Sequence, residues 1–165
     1  MADNFAYNPH SGSFRMRNGE FMLARACPPL PPNDMTIWYE WADLGNSYDL
    51  DTNTTFLGVS VGWSVGGGQG GIIVWPSGDN TQSGPEEVKI WAATTLAQGK
   101  WSGQTTIICR AGWYEPAGGS GPARIRATWK GDTQTKIISP GSQSGPAQTH
   151  VADIILRADG TFTLQ

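Results

Sequence analysis

Oxygen-bearing side chains recur at alternate positions in a stretch rich in Asp and Asn. Asp49, Asp51 and Asn53 are each separated by one residue. This spacing lets one loop direct several hard oxygen ligands at a calcium ion. An EF-hand loop would need Gly and Glu where Thr54 and Ser60 stand. The spacing predicts a calcium site at these three residues; the alternative is that their side chains only satisfy backbone amides in successive turns.

Aromatic side chains are the second set of residues that could bind a ligand. The chain has eight Trp in 165 residues, more than a core of this size usually absorbs, because indole is rarely buried fully and its N–H needs a partner. Exposed Trp and Tyr stack on the apolar faces of sugar rings, while polar side chains bond the hydroxyls. The candidate ligand-binding residues lie at strand ends or beside loops: Trp38, Glu40, Trp41, Trp75, Trp113 and Tyr114. They predict a non-catalytic carbohydrate-binding domain, lectin-like or a carbohydrate-binding module, whose partner is a glycan.

A catalytic alternative rests on a repeated tripeptide. Trp-Tyr-Glu occurs at 38–40 and again at 113–115. Two glutamates beside aromatic side chains would suit a retaining glycosidase, so Glu40 and Glu115 are its candidate nucleophile and acid/base. The sequence contains no H-x-x-x-H motif, and a strand rather than a helix is expected after the glycine-rich residues 66–71. We therefore favour a protein without catalytic residues.

The stretch 57–65 is the clearest strand signal. Its odd positions are apolar and its even positions are Gly or Ser, the period of two of a β-strand with one apolar face. The other face is almost bare backbone, which a neighbouring segment can approach closely. With the glycine-rich run and the apolar residues 72–75, the stretch predicts a long hairpin. A pore-forming membrane hairpin would need a longer second arm.

Similar alternation predicts strands at 35–41, 88–95, 104–114, 123–130 and 149–157. Asn18-Gly19 and Asp159-Gly160 are typical hairpin turns. Both faces of 104–114 are apolar, which indicates a central strand, whereas 123–130 carries a basic stripe over an apolar face. Helix signals are scarce. The pattern predicts an all-β fold, an antiparallel two-sheet sandwich with jelly-roll topology favoured over a closed barrel.

The chain is expected to form one globular domain with an N-terminal extension. Residues 1–33 contain an arm, the Asn-Gly hairpin and a proline-rich connector, and residues 34–165 the β-sandwich. The prolines at 28–32 predict a stiff connector or, alternatively, a polyproline ligand. An arm attached to a sandwich is also typical of a structural subunit of a virion or phage particle. That function, with homo-oligomers or other subunits as partners, is the main alternative to carbohydrate binding.

Composition excludes several classes of partner. A net charge of -3 and a pI near 5.2 argue against nucleic acid and anionic membranes. The N-terminus lacks the pattern of a signal peptide, and no stretch is long and apolar enough for a membrane-spanning helix, so we expect a protein that is cytoplasmic as synthesised, or part of a virion. Cys27 and Cys109 are then expected to be reduced thiols. Calcium is the only cofactor that the sequence suggests.

Overall fold

The computed structural model describes residues 15–17, 20–22, 34–41, 49–82, 84–114, 121–143 and 148–165. The chain divides into two compact units, Met1–Leu30 and Pro31–Gln165. In the first unit, β1 (Arg15–Arg17) and β2 (Glu20–Met22) pair antiparallel, with Arg17 opposite Glu20. This register confirms the predicted Asn-Gly hairpin. The predicted arm, the proline-rich connector, Cys27 and Glu115 lie outside the described residues.

The second unit consists of two packed β-sheets. The first sheet contains, in spatial order, β11 (Asp132–Ile138), β10 (Ala123–Trp129), β3 (Met35–Trp41), β8 (Glu86–Ile90), β7 (Ile73–Val74) and β6 (Gly68–Gln69). The second contains β14 (Phe162–Leu164), β13 (Thr149–Arg157), β9 (Gln104–Tyr114), β4 (Leu50–Phe56) and β5 (Val59–Gly62). A short strand, β12 (Ser142–Gln143), adds to β9 in parallel, and the other pairs are antiparallel. The all-β two-sheet sandwich is confirmed; jelly-roll topology stays a prediction.

The alternation of side chains along each strand determines which residues form the core. In β3, β10 and β13 buried residues alternate with more exposed ones, so each strand gives its apolar face to the space between the sheets. The strands β3, β9 and β10 carry fully buried isoleucines at their inward positions: Ile37, Ile107 and Ile125. Each such side chain contributes about 1.5–3 kcal/mol by leaving water. The predicted central position of 104–114 is confirmed, because β9 lies between β13 and β4.

Several polar contacts join the two sheets, and two of them lie deep in the described interior. The hydroxyls of Tyr39 on β3 and Thr54 on β4 are hydrogen-bonded at 2.7 Å. The Thr52 hydroxyl donates to the carboxyl of Glu86 on β8. All four residues are buried, so each contact satisfies groups that would otherwise lose water without replacement. These pairs fix how β4 lies against the first sheet.

The predicted continuous strand 57–65 was wrong. Leu57 and Gly58, with φ of 48° and 78°, form the two-residue turn that folds β5 back onto β4, and two-residue hairpin turns of this kind require positive φ at both positions. After Gly62 the chain leaves the second sheet, and β6 pairs with β7 in the first. The expected hairpin between 57–65 and 72–75 is therefore absent from the described pairings, because the two halves belong to different sheets.

The predicted strand 88–95 ends early, at Ile90. A short helix, α1 (Ala92–Ala97), follows it. Its first turn is capped from elsewhere in the chain, since the Asp34 carboxylate accepts a hydrogen bond from the Ala93 N–H at 2.8 Å. Such a distant cap leaves no local signal in the sequence. Within the described part of the chain, no helix is long and apolar enough to cross a membrane.

Gly62→Val is expected to destabilise the sandwich. Gly62 has a φ of 127°, and a Cβ atom there would lie 2.1 Å from the backbone oxygen of Thr52. The β-branched side chain would force β4 and β5 apart, so we expect a loss of about 1–3 kcal/mol or more in the free energy of unfolding, measured by urea denaturation. Ser139→Val, at an exposed position, is the control and should change stability by less than about 0.5 kcal/mol. Equal urea midpoints for the two variants would contradict a close approach at Gly62.

Candidate functional site

The outer face of the first sheet carries a row of polar and aromatic side chains. On β3 the half-buried Trp38 and Glu40 alternate with the buried core residues. On the neighbouring β10, Arg126 lies opposite Trp38 and Arg124 lies opposite Glu40. One strand further, Ile137 of β11 lies opposite Arg124. The predicted basic stripe of β10 therefore stands between the candidate aromatic and acidic residues of β3 and an apolar side chain of β11.

Glu40 is held by both arginines of the stripe. Arg124 Nε donates to its Oε2 at 2.6 Å, while Arg126 Nε and Nη2 donate to its Oε1 at 2.9 and 2.7 Å. Partial burial acts to raise the pKa of Glu40, but the hydrogen bonds and charges of Arg126 and Arg124 outweigh it and the pKa is lowered. The group is thus a fixed carboxylate at neutral pH. In a glycosidase it would fit the nucleophile and not the acid, and its proposed partner Glu115 lies outside the described residues.

Trp38 is in contact with the same stripe. The guanidinium carbon of Arg126 lies over the indole, 3.8 Å from the ring centroid, a cation–π arrangement. Arg126 therefore covers one face of the Trp38 ring while it also bonds Glu40. That ring face is not free to stack on a sugar, but the contact holds Trp38, Arg126 and Glu40 in one orientation.

A groove opens at one end of this row. Its volume is about 420 Å³. The groove is lined by residues from the end of β3, the start of β10 and the end of β11: Glu40, Trp41, Pro122, Ala123, Arg124 and Ile137. Ile137 is 78% exposed, unusual for an isoleucine in a strand. The groove thus combines apolar surface with the Glu40–Arg124 ion pair.

Among the other predicted aromatic ligands, Trp41 lines this groove, whereas Trp75, Trp113 and Tyr114 are not among its described lining residues. Trp113 is only 2% exposed and Trp41 6%, so the expectation of exposed indoles was wrong for both, although an edge of Trp41 lines the groove. Trp113 has the same parity as the buried Cys109 and Ala111, and that alternation places it between the sheets. Trp75 packs against the core after β7, two strands from β3. Tyr114 belongs to the second sheet, where its N–H donates to the Asp49 backbone oxygen.

A second constellation, the acidic cluster, consists of Asp49, Asp51 and Asp79. One carboxylate oxygen from each lies within 4.8 Å of the others. The predicted third ligand, Asn53, lies two residues beyond Asp51 on an extended strand, because the expected loop is already a strand from Leu50. At about 3.3 Å per residue, position 53 lies roughly 13 Å along the chain from position 49. Asp79 comes from the connection between β7 and β8 instead.

Several carboxyl groups lie close together in this region, and pKa values among them are raised. Burial, followed by the negative charges of Asp51 and Asp79, raises the pKa of Asp49 to about 6. Glu86 is buried next to the cluster, and burial is also the largest cause that raises its pKa, to about 8. Two hydrogen bonds to Glu86 lower its pKa by a smaller amount. One comes from the Thr52 hydroxyl and the other from the Asn80 N–H, at 3.1 Å. Glu86 is therefore mainly protonated at neutral pH.

Sequence reasoning missed Asp79, Glu86 and Ile137. Glu86 could have been found, because it shares the parity of Val88 and Ile90 and so lies on the inward face of its strand. No local pattern identifies Asp79, which is far along the chain from Asp51. Ile137 belongs to β11, a strand that the sequence pattern did not predict.

Comparison with known proteins adds no assignment: no family model, curated protein or solved structure matches this chain.

Proposed function

We propose that the protein is a non-catalytic carbohydrate-binding β-sandwich whose binding site is the groove beside Glu40. The observation that carries this proposal is the combination of an exposed isoleucine with a fixed Glu40–Arg124 ion pair in one space. A sugar presents the same combination, because its C–H groups form apolar faces while its hydroxyls donate and accept hydrogen bonds. Lectin-like recognition is the function that this groove supports best.

The dimensions and preorganisation of the groove support the proposal. A volume of about 420 Å³ falls within the range of roughly 300–1,000 Å³ typical of small-ligand sites. The carboxylate of Glu40 is held by Arg124 and Arg126, so a ligand hydroxyl meets an acceptor already in place. Preorganised groups of this kind reduce the entropic cost of binding.

The charges favour a glycan that carries a carboxylate. Glu40 contributes one negative charge, and Arg124 and Arg126 contribute two positive charges, which leaves one net positive charge beside the groove. The Arg124 side chain is 58% exposed, so its guanidinium has donors available to a ligand. Arginine pairs with carboxylates through two parallel hydrogen bonds. Uronic and sialic acids are therefore preferred ligands over neutral sugars.

Glycan binding is expected to depend on the exposed wall of the groove. We expect Ile137→Ser and Arg124→Ala each to weaken binding at least tenfold, because one removes apolar contact and the other the anionic subsite. The measurement is an array of neutral and acidic glycans, followed by titration calorimetry with the best ligand. Val65→Ser is the matched control, since Val65 is another exposed β-branched residue, 48% accessible, outside the groove.

Two results would count against the proposal. Unchanged affinity in both groove variants would place the binding site elsewhere. An array without signal, combined with oligomers in light scattering that disappear when 1–30 is deleted, would favour the alternative function of a virion or phage structural subunit. The division of the chain at Leu30 is the observation that makes this deletion a defined test.

A further inference from the structure

The acidic cluster contains residues from segments that lead into different sheets of the sandwich. Asp49 and Asp51 lie at the start of β4 in the second sheet, whereas Asp79 lies in the connection that leads from β7 to β8 in the first. One carboxylate oxygen of each lies within 4.8 Å of the other two. Two acids that are close together in the chain therefore meet a third acid that is distant in the chain.

A second observation points to a missing partner at this place. Asp49 is only 7% exposed, and its Oδ1 is buried without a hydrogen-bond partner among the described residues. No basic side chain in that part of the chain forms an ion pair with Asp49. A buried carboxylate oxygen without a partner is costly, so native proteins normally provide one. Here the nearest charged groups, Asp51 and Asp79, are both negative and raise the pKa of Asp49 further.

We propose that Asp49, Asp51 and Asp79 bind a calcium ion that fastens the β7–β8 connection to the start of β4. The ligands are all carboxylate oxygens, which select hard cations over zinc or copper. Oxygens bound to calcium at about 2.3–2.6 Å can be up to roughly 5.2 Å apart, whereas those around magnesium can be only about 4.2 Å apart. The three carboxylate oxygens, all within 4.8 Å of one another, lie inside the range that one calcium ion spans, and calcium accepts irregular geometry whereas magnesium demands a near-ideal octahedron. Asp79 is exposed, which leaves room for water in the remaining coordination positions.

The ion would order a segment that reaches the groove. Directly after Asp79, the Asn80 N–H donates to Glu86 at 3.1 Å. Further along, Gly84 is so close to Trp41 that a Cβ atom there would lie 2.5 Å from the indole. Calcium at Asp79 would thus hold the first end of a segment whose other end packs on a groove residue. The calcium site itself does not depend on the proposed glycan binding.

Calcium binding by the full chain is the direct test. After removal of divalent ions with a chelator, we expect titration calorimetry to detect one calcium site and weaker binding of magnesium. Because only the folded state assembles the three ligands, saturating calcium should raise the melting temperature by roughly 5–10 °C. Flat calcium titrations, together with identical melts in calcium and chelator, would overturn the proposal.

Variants identify the ligands. Asp79→Asn should lower calcium affinity at least tenfold and abolish the calcium-dependent shift, and because Asp79 is exposed the variant should fold. Asp132→Asn removes an exposed acid outside the cluster and should behave as wild type. Asp49→Asn should lose the calcium response while melting higher than wild type in chelator, since it removes one of three like charges. Wild-type calcium affinity in Asp79→Asn would overturn the assignment of Asp79.

Discussion

Trp113→Ala is expected to lower the free energy of unfolding by about 3–5 kcal/mol. The indole is among the largest fully buried side chains, 2% exposed, and lies between the sheets with the neighbours that alternate with it on β9. Its removal would leave a cavity that the close-packed strands cannot fill. Urea denaturation followed by circular dichroism measures the change.

Trp38→Ala is the matched control for this substitution. Trp38 is half-buried on the outer face of β3 and contacts Arg126 rather than the core. Its loss removes one cation–π contact and some surface packing, so we expect a decrease of about 1 kcal/mol. If the two variants had equal unfolding midpoints, the assignment of Trp113 to the core and of Trp38 to the surface would be contradicted.

Stability is also expected to fall as the pH rises from 5 to 8, because of Glu86. Burial raises the pKa of Glu86 in the folded protein to about 8, above the value of about 4.3 expected in the unfolded chain. The folded state therefore retains a proton that the unfolded state releases. The stabilising contribution is fully present below the unfolded pKa and is lost as the pH rises through the folded pKa. The slope from this group is about 1.4 kcal/mol per pH unit across that window.

Glu86→Gln distinguishes the contribution of Glu86 to the pH dependence of stability from the contributions of other titratable groups. The amide can donate to the Thr52 hydroxyl and accept from the Asn80 N–H, the two partners of Glu86, but it does not ionise. In chelator, we expect the variant to match wild type near pH 5 and to be more stable at pH 9, as measured by denaturation at each pH. Glu87→Gln, at the next residue but in an ion pair with Lys89 at 3.3 Å, should follow the wild-type curve. Parallel curves for wild type and Glu86→Gln would refute a buried, protonated Glu86.

Much of the sandwich was predictable because strand alternation is a local property. The pattern of buried and exposed residues in Met35–Trp41 and Gln104–Tyr114 matched the predicted strand bounds. The register of the first hairpin followed from Asn18-Gly19 for the same reason. In contrast, Leu57 is apolar and continues an alternating pattern, yet it stands in a turn. The pairing of β5 with β4 outweighed its local preference.

The candidate sites were predictable only in part, because each needs residues from distant positions. Asp49 and Asp51 could be identified as a pair from their spacing, but the partner that completes the cluster is Asp79, brought there by the β7–β8 connection. Glu40 was identified from its tripeptide, whereas its pairing with Arg124 depends on the register between β3 and β10. Likewise, Trp113 was predicted as an exposed ligand-binding residue, but the structure buries it in the core.

The sequence by itself determined that the chain is all-β, which residues alternate along each strand and where several of the turns fall. These features depend on interactions between residues close in the chain, so composition and period are sufficient to predict them. The tertiary structure decided which strand neighbours which, and therefore that Arg124 meets Glu40 and that Asp79 meets Asp49. These contacts depend on sheet order and register, which are set by the packing of the apolar face of one sheet against that of the other. For this reason both the groove and the acidic cluster become visible only in the folded molecule.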